Sequence, residues 1–169
     1  MIEYRKADIA DAELLISIYN SAFYSDYIKY GECPAYGKTK EMMEKSILNY
    51  PKFIILYDSK PVGCVSFQKV EVGIYEVGCL CVIPEYQGKG IGSKLINVAL
   101  ESARRLGYKS VIVLGHDKYY PKFGFVPASK YGIKAPFDVP DEAFMVKELN
   151  DGSLIGVSGI VEYTKEFFE

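Results

Sequence analysis

Residues 77–100, VGCLCVIPEYQGKGIGSKLINVAL, constrain this chain more than any other stretch. An apolar run from Val77 to Ile83 is stopped by Pro84. A polar step follows, Glu85-Tyr86-Gln87, and then glycines at Gly88, Gly90 and Gly92. Beyond them Ile91, Leu95, Ile96, Val98 and Ala99 recur at helical spacing. The pattern predicts a strand, a tight loop and a helix, with the loop at the helix N-terminus. The first amides of a helix have no partner within it. Glycine lets such a backbone approach a ligand closely and take φ values that other residues resist. Unused N–H groups and the positive end of the helix dipole suit a phosphate or pyrophosphate.

Two nucleotide motifs fail here. A Walker A loop needs GxxxxGK[ST], and no Lys-Ser or Lys-Thr pair follows a glycine at that spacing. A dinucleotide fingerprint needs GxGxxG, and the third glycine comes one residue too early. What fits is Q-x-x-G-x-G, as Gln87-Gly88-Lys89-Gly90-Ile91-Gly92, after a strand ending in Pro84. This resembles the pyrophosphate loop of the GNAT superfamily, the acyl-CoA-dependent N-acyltransferases. Leu80-Cys81-Val82-Ile83-Pro84 resembles that superfamily's fourth strand. The resemblance implies an α/β fold of the α+β kind: a mixed sheet of about seven strands flanked by about four helices, with the fourth and fifth strands splayed apart. The alternative with no ligand is a tight structural turn.

At 169 residues the chain is read as one domain, residues 1–169, large enough for a sizeable core. With 49% hydrophobic and 25% charged residues it falls in the soluble globular class. No apolar run approaches the length of a membrane span, so no membrane partner is expected. The start, MIEYRKADIADAE, lacks an apolar signal core, and cytoplasmic residence is the expectation. A formal charge of −2 with no basic block gives no electrostatic grip on nucleic acid. The cysteines are Cys33, Cys64, Cys79 and Cys81 and should be reduced in that compartment. Cys79 and Cys81 lie two apart on a strand and so share a face. Zinc would need further ligands, and the one histidine is His116, so small buried apolar residues are expected and no metal.

In chain order, 2–6 reads as a short strand, and Asp8 as the N-cap of an amphipathic helix running to about Ala22 on Ala12, Leu15, Ile16, Tyr19 and Phe23. Residues 23–50 are irregular, with Tyr24, Tyr27, Tyr30 and Tyr36 beside Asp26 and Glu32, then a polar helix over 39–48. In the superfamily this region helps form the acceptor pocket, and aromatic and acidic groups would suit a cationic amine. Loop packing and solvated surface is the plainer alternative. Strands are expected over 52–57, 61–70 and 75–83, with turns at 58–61 and at Val72-Gly73. A helix ending near Leu106-Gly107 and a β-branched run over 109–114 follow, which should pair in parallel with the strand before the loop. Last strands are read at 143–149 and 158–164, with a turn at Asn150-Asp151-Gly152-Ser153.

Residues 115–125, GHDKYYPKFGF, place a tyrosine four residues before Gly124-Phe125. This resembles the superfamily motif at the sulfur end of CoA, on a short helix after the fifth strand. With PASKYGIKAPFDVPDEAFMV and GVSGIVEY it resembles, more narrowly, the YhbS-like acetyltransferases, over about 77–163. The resemblance implies an acetyl-CoA-dependent N-acetyltransferase moving an acetyl group directly to a primary amine of a small molecule or protein. Acetyl-CoA is then the co-substrate. Gln87, Gly88, Lys89, Gly90, Ile91, Gly92 and Ser93 would bind the co-substrate, the backbone amides from Gly88 to Ser93 holding the pyrophosphate. Leu80, Cys81 and Val82 would bind pantetheine as an added strand, one amide polarising the thioester carbonyl. Tyr120 would protonate the departing sulfur, since a tyrosine with a pKa of about 10 keeps its proton at neutral pH. Tyr119 competes, and the alternative for Tyr120 is a packed ring beside Phe123 and Phe125. Glu76 and His116 are the candidate bases, with a water chain as substitute; Cys81 as an acyl carrier would be a poor buried nucleophile. Dimers are frequent among relatives, which makes a homodimer an expectation. From another class, the alternative is a non-catalytic acyl-CoA-binding or sensing domain.

Overall fold

The computed structural model describes residues 1–71, 74–115 and 117–162, with the backbone alone for 68–71 and 74–79. Its strands are β1 (Ile2–Lys6), β2 (Lys52–Tyr57), β3 (Lys60–Glu71), β4 (Ile74–Val82), β5 (Ser110–Leu114), β6 (Val126–Pro127), β7 (Ile133–Lys134), β8 (Phe144–Glu148) and β9 (Gly159–Ile160). The helices are α1 (Ala12–Tyr30), α2 (Lys40–Asn49) and α3 (Ile91–Arg105). The chain divides into two compact units, one of residues 1–67 and 79–97, the other of 68–78 and 98–169.

In the first unit β1, β2 and β3 form an antiparallel meander, Tyr4 opposite Ile55 and Phe53 opposite Val65. The β2–β3 hairpin turns on Asp58 and Ser59, at φ 48° and 67°, a left-handed pair that matches the twist of the strands. Asp58 also holds the chain's N-terminal ammonium. Met43 of α2, Ile54 of β2, and Leu15 and Tyr19 of α1 close a core with Cys64 and Cys81. The face predicted for α1 is therefore the buried one, with Ile18 added to it.

α1 runs eight residues past the expected end at Ala22. The apolar period fades there because its last turns carry exposed Tyr24, Ile28 and Tyr30, which no core demands. Two local devices carry the helix on. Tyr27 stacks on Tyr36 at 4.4 Å, and Gly31, at φ 78°, donates its amide to the Tyr27 carbonyl. Asp8 caps a 3₁₀ turn, Ile9–Asp11, that leads into α1, in a reciprocal capping box with Asp11.

Asp11 also accepts two hydrogen bonds from the Arg5 guanidinium, at 2.7 and 2.8 Å, and one from the Asp8 amide at 2.9 Å. The Arg5 hydrogen bonds, more than its charge, hold the Asp11 carboxyl below its ordinary pKa. A carboxylate with a lowered folded pKa stabilises above the unfolded pKa and loses that contribution as pH falls through the folded one. The stability gap between the wild type and Asp11→Asn is therefore expected to be widest at neutral pH and to close below the ordinary carboxylate range. It should be small, because the Arg5 side chain is half-exposed. Thermal melts of both proteins between pH 7 and pH 3 check this; a gap that widens on acidification contradicts it.

In the second unit β4 and β5 pair in parallel from Ile74↔Ser110 to Val77↔Val113, as a strand–helix–strand connection requires. β8 lies antiparallel to β5, with Ile112 opposite Val146, and β6 pairs with the far edge of β8. Since β3 and β4 pass through both units, the ladder order reads β1-β2-β3-β4-β5-β8-β6, a mixed sheet of seven strands. The core of this unit gathers Ile112, Phe144 and Val146 with Ala128, Ile133 and Leu154. α3 ends as expected, with Gly107 at φ 84° and the Gly107 and Tyr108 amides bonded to the Arg104 and Ala103 carbonyls.

Three expectations change. Among the described residues there are three α-helices rather than about four, because the short helix at Tyr120 is a four-residue 3₁₀ turn, Tyr120–Phe123. The final strand shrinks to Gly159–Ile160 and pairs with β7 in a separate two-stranded sheet. Gly156 and Gly159, at φ 79° and 124°, break the extended run there. β6 and β7 have two residues each, too short for an alternating pattern to show. The Val72-Gly73 turn and residues 163–164 of the last expected strand lie outside the described residues. Among the described residues no helix is long and apolar enough to cross a membrane.

Candidate active site

The loop between β4 and α3 belongs to the first unit. After Ile83 the chain makes a 3₁₀ turn, Pro84–Tyr86, with the Tyr86 and Gln87 amides bonded to the Ile83 and Pro84 carbonyls. The Gln87 side chain then turns back and donates from Nε2 to the Val82 carbonyl at 2.9 Å. Gln87 thus clips the loop to the end of β4. Gly88 and Gly90 follow at φ 75° and 80°, a region where any Cβ is strained. A Cβ at either position would meet no heavy atom within 4 Å. The glycines are required by backbone conformation, and the space over them is open to a ligand.

α3 begins at Ile91, and the Lys94 amide bonds to the Gly90 carbonyl at 3.1 Å. The amides of Ile91, Gly92 and Ser93 precede the first intrahelical donor, Lys94. They sit at the positive end of a helix of 15 residues, Ile91 buried beneath them as the anchor and Lys89 and Lys94 exposed alongside. This is the donor set of an anion site, and it fits a pyrophosphate: several N–H groups, an open approach and no acidic side chain among residues 87–94.

β4 supplies the second part. It runs on to Val82, five residues past its last pair with β5. On its other side β3 approaches closely: the Ile83 amide donates to Val62 at 2.9 Å, and a Cβ at Gly63 would stand 2.6 Å from the Cys81 carbonyl oxygen. Cys81 itself is buried in the core with Cys64, the environment of an inert thiol. Gly63→Ala must therefore displace β4 backbone at Cys81. We expect a loss of about 1–3 kcal/mol, the usual cost of overpacking, read as a lower Tm; an unchanged melt contradicts the close approach.

Tyr120 belongs to the second unit. Its ring is 6% exposed and edge-on to Tyr119 and Phe125, at centroid distances of 5.2 and 5.8 Å. Tyr119 is the more open of the pair, packed on Phe123 with the Lys122 ammonium 5.8 Å from its ring. Gly124, at φ 92°, caps the 3₁₀ turn through the Pro121 carbonyl, which is why the motif carries glycine there. Glu76 is placed by its backbone in β4, opposite Ile112 of β5. Its side chain, the side chain of Cys79 and the whole of His116 lie outside the described residues. The packing partner of Tyr120 was the feature least visible in the sequence: Gly115, at the end of β5, lies against the ring.

The family model of the Acetyltransferase (GNAT) family matches residues 15–125, from within α1 through the Gly124-Phe125 pair. The chain belongs to this family. Among relatives, it is 39% identical over 94 residues to the uncharacterized N-acetyltransferase YjhQ of Escherichia coli, covering 51% of this chain and 52% of that one. It is 33% identical over 115 residues to the uncharacterized N-acetyltransferase YhbS of the same organism, covering 65% and 69%. The chain thus spans about half the length of one of these relatives and two thirds of the other. The crystal structure of Escherichia coli YhbS in complex with CoA superposes with a TM-score of 0.77 at 22% identity, over 99% of this chain and 92% of that one. A GNAT family acetyltransferase from Brucella melitensis in complex with acetyl-CoA gives 0.74 at 23%, over 99% and 98%. These structures share the fold.

Proposed function

We propose that the protein is an acetyl-CoA-dependent N-acetyltransferase, one domain over residues 1–169, acting in the cytoplasm on a primary amine of a small molecule or protein. The observation that carries this reading is the loop at the start of α3. There, positive φ at Gly88 and Gly90, open space above them and the Gln87 clip present free helix-start amides to an anion. The CoA complex of YhbS and the acetyl-CoA complex of the Brucella protein, two structures of the same fold, support that choice of ligand.

In this reading the amides of residues 88–93 hold the pyrophosphate. Backbone of Leu80, Cys81 and Val82 takes the pantetheine arm as an added strand, and one amide there polarises the thioester carbonyl. The neutral amine attacks that carbonyl, the new C–N bond forms as the C–S bond breaks, and the nitrogen gives up a proton to a base. Glu76 and His116 are the groups proposed for that proton, or water relaying it to solvent. Tyr120 gives its phenolic proton to the departing thiolate and regains one from solvent. No covalent enzyme intermediate is needed, in keeping with a buried Cys81. A homodimer is the assembly proposed for it.

The test is thiol release from acetyl-CoA in the presence of a panel of primary amines: polyamines, amino acids, aminoglycosides and lysine peptides. Release that depends on one class of amine is the expected result. Saturable acetyl-CoA binding with no release for any of them contradicts the enzyme and leaves an acyl-CoA-binding domain.

A further inference from the structure

We infer that Gly115 is the positioning residue for the Tyr120 hydroxyl, an inference that rests on the general-acid role proposed above. Gly115 directly follows β5, and its amide donates to the Ala143 carbonyl at 2.9 Å, which ties its backbone to the residue before β8. A Cβ at this position would stand 3.2 Å from Cδ2 and 3.3 Å from Cζ of Tyr120, and closer still to Cε2. The three atoms are one edge of the ring, including the carbon that bears the hydroxyl. The ring therefore lies directly on glycine backbone.

What gives way when a methyl is added follows from what surrounds the pair. The backbone of Gly115 is pinned through Ala143. The ring is buried and bounded by Tyr119 and by Phe125, the latter 2% exposed. A phenol ring is stiff, so it cannot fold its far end aside as a lysine would. The displacement must move the whole ring, and with it the oxygen at Cζ. General-acid catalysis depends on a donor within hydrogen-bond reach of the atom it protonates, and misplacement by about 1 Å can cost on the order of 10²-fold in rate. Glycine at 115 thus sets where the Tyr120 proton is delivered, although Gly115 itself touches no reacting atom. Its conformation does not demand glycine, since its φ lies outside the left-handed region. The requirement is for space alone.

The test is a double-mutant cycle between Gly115→Ala and Tyr120→Phe. It reads enzyme-dependent thiol release from acetyl-CoA, with the enzyme-free rate subtracted and the same panel of primary amines as acceptors. Gly115→Ala is expected to lower kcat about tenfold or more while the Kd for acetyl-CoA changes less than about twofold. In the Tyr120→Phe background it should add less than about twofold, because the hydroxyl it displaces is already gone. An equal factor in both backgrounds, or no change in kcat, overturns the inference. If Tyr120→Phe slows the enzyme and Gly115→Ala does not, the general-acid reading stands and Gly115 alone falls. If Tyr120→Phe has no effect, or the wild type releases no thiol, the general-acid reading fails and takes the inference with it. Should Gly115→Ala not fold, Gly115→Ala combined with Tyr120→Leu should restore folding, since the ring that the methyl meets is gone; a double variant still unfolded overturns the contact.

Discussion

Replacing Tyr120 with phenylalanine is expected to lower kcat for acetyl transfer by about 10²-fold or more, the usual contribution of a general acid, with acetyl-CoA affinity unchanged. The substitution is a clean one here. Phenylalanine keeps the ring that packs edge-on against Tyr119 and Phe125 and over Gly115, and removes only the oxygen. The ring packing should stay as in the wild type, and a melting curve checks that the variant folds. The thiolate then leaves without a proton donor, a loss felt in the transition state and not in binding, so kcat and kcat/KM fall together. Steady-state kinetics and a separate acetyl-CoA titration check the prediction. Equal loss of affinity and rate would mean that Tyr120 shapes the binding site and does not supply a proton.

Gly90→Glu should weaken acetyl-CoA binding by about 10²-fold or more, some 3 kcal/mol. Two effects combine in one place. A side chain at φ 80° strains the backbone, by about 1–2 kcal/mol for a residue forced into the left-handed region. The carboxylate also occupies the open space over the loop and meets a pyrophosphate with like charge, at the helix end whose dipole favours the ligand. Gly90→Ala separates them, since it carries the strain without the charge and should lose less affinity. The fold should survive in both, because the position is exposed. A folded Gly90→Glu protein with wild-type affinity would remove the loop from the CoA site.

Strand, loop and helix over residues 77–100 were legible because each carries a separate physical mark: an apolar run, alternating glycines and a helical period. The parallel β4–β5 pairing followed from connection handedness, and the caps at Asp8 and Gly107 from residue chemistry. The length of α1 was not legible, because its last turns are held by a tyrosine stack and a glycine cap with no buried stripe. The short β6 and β7, and the 3₁₀ form of the turn at Tyr120, depend on tertiary pairing that no local period encodes. The site divides in the same way. The motif selects Gln87–Ser93 and Tyr120 by spacing, but the hydrogen bond from Gln87 to the Val82 carbonyl joins neighbouring elements, and spacing does not reveal it. Gly63 and Gly115 are glycines because another residue lies against them, and nothing in their own sequence neighbourhood says so.

The measurement that bears most directly on the proposed function is a calorimetric titration of the purified, folded protein with acetyl-CoA, with ATP and NAD as controls. Saturable binding of acetyl-CoA that neither control reproduces, and that Gly90→Glu abolishes, is the predicted result. A folded protein that takes up no acetyl-CoA would mean that the loop at the start of α3 is retained as structure alone, and the acetyltransferase reading would fall.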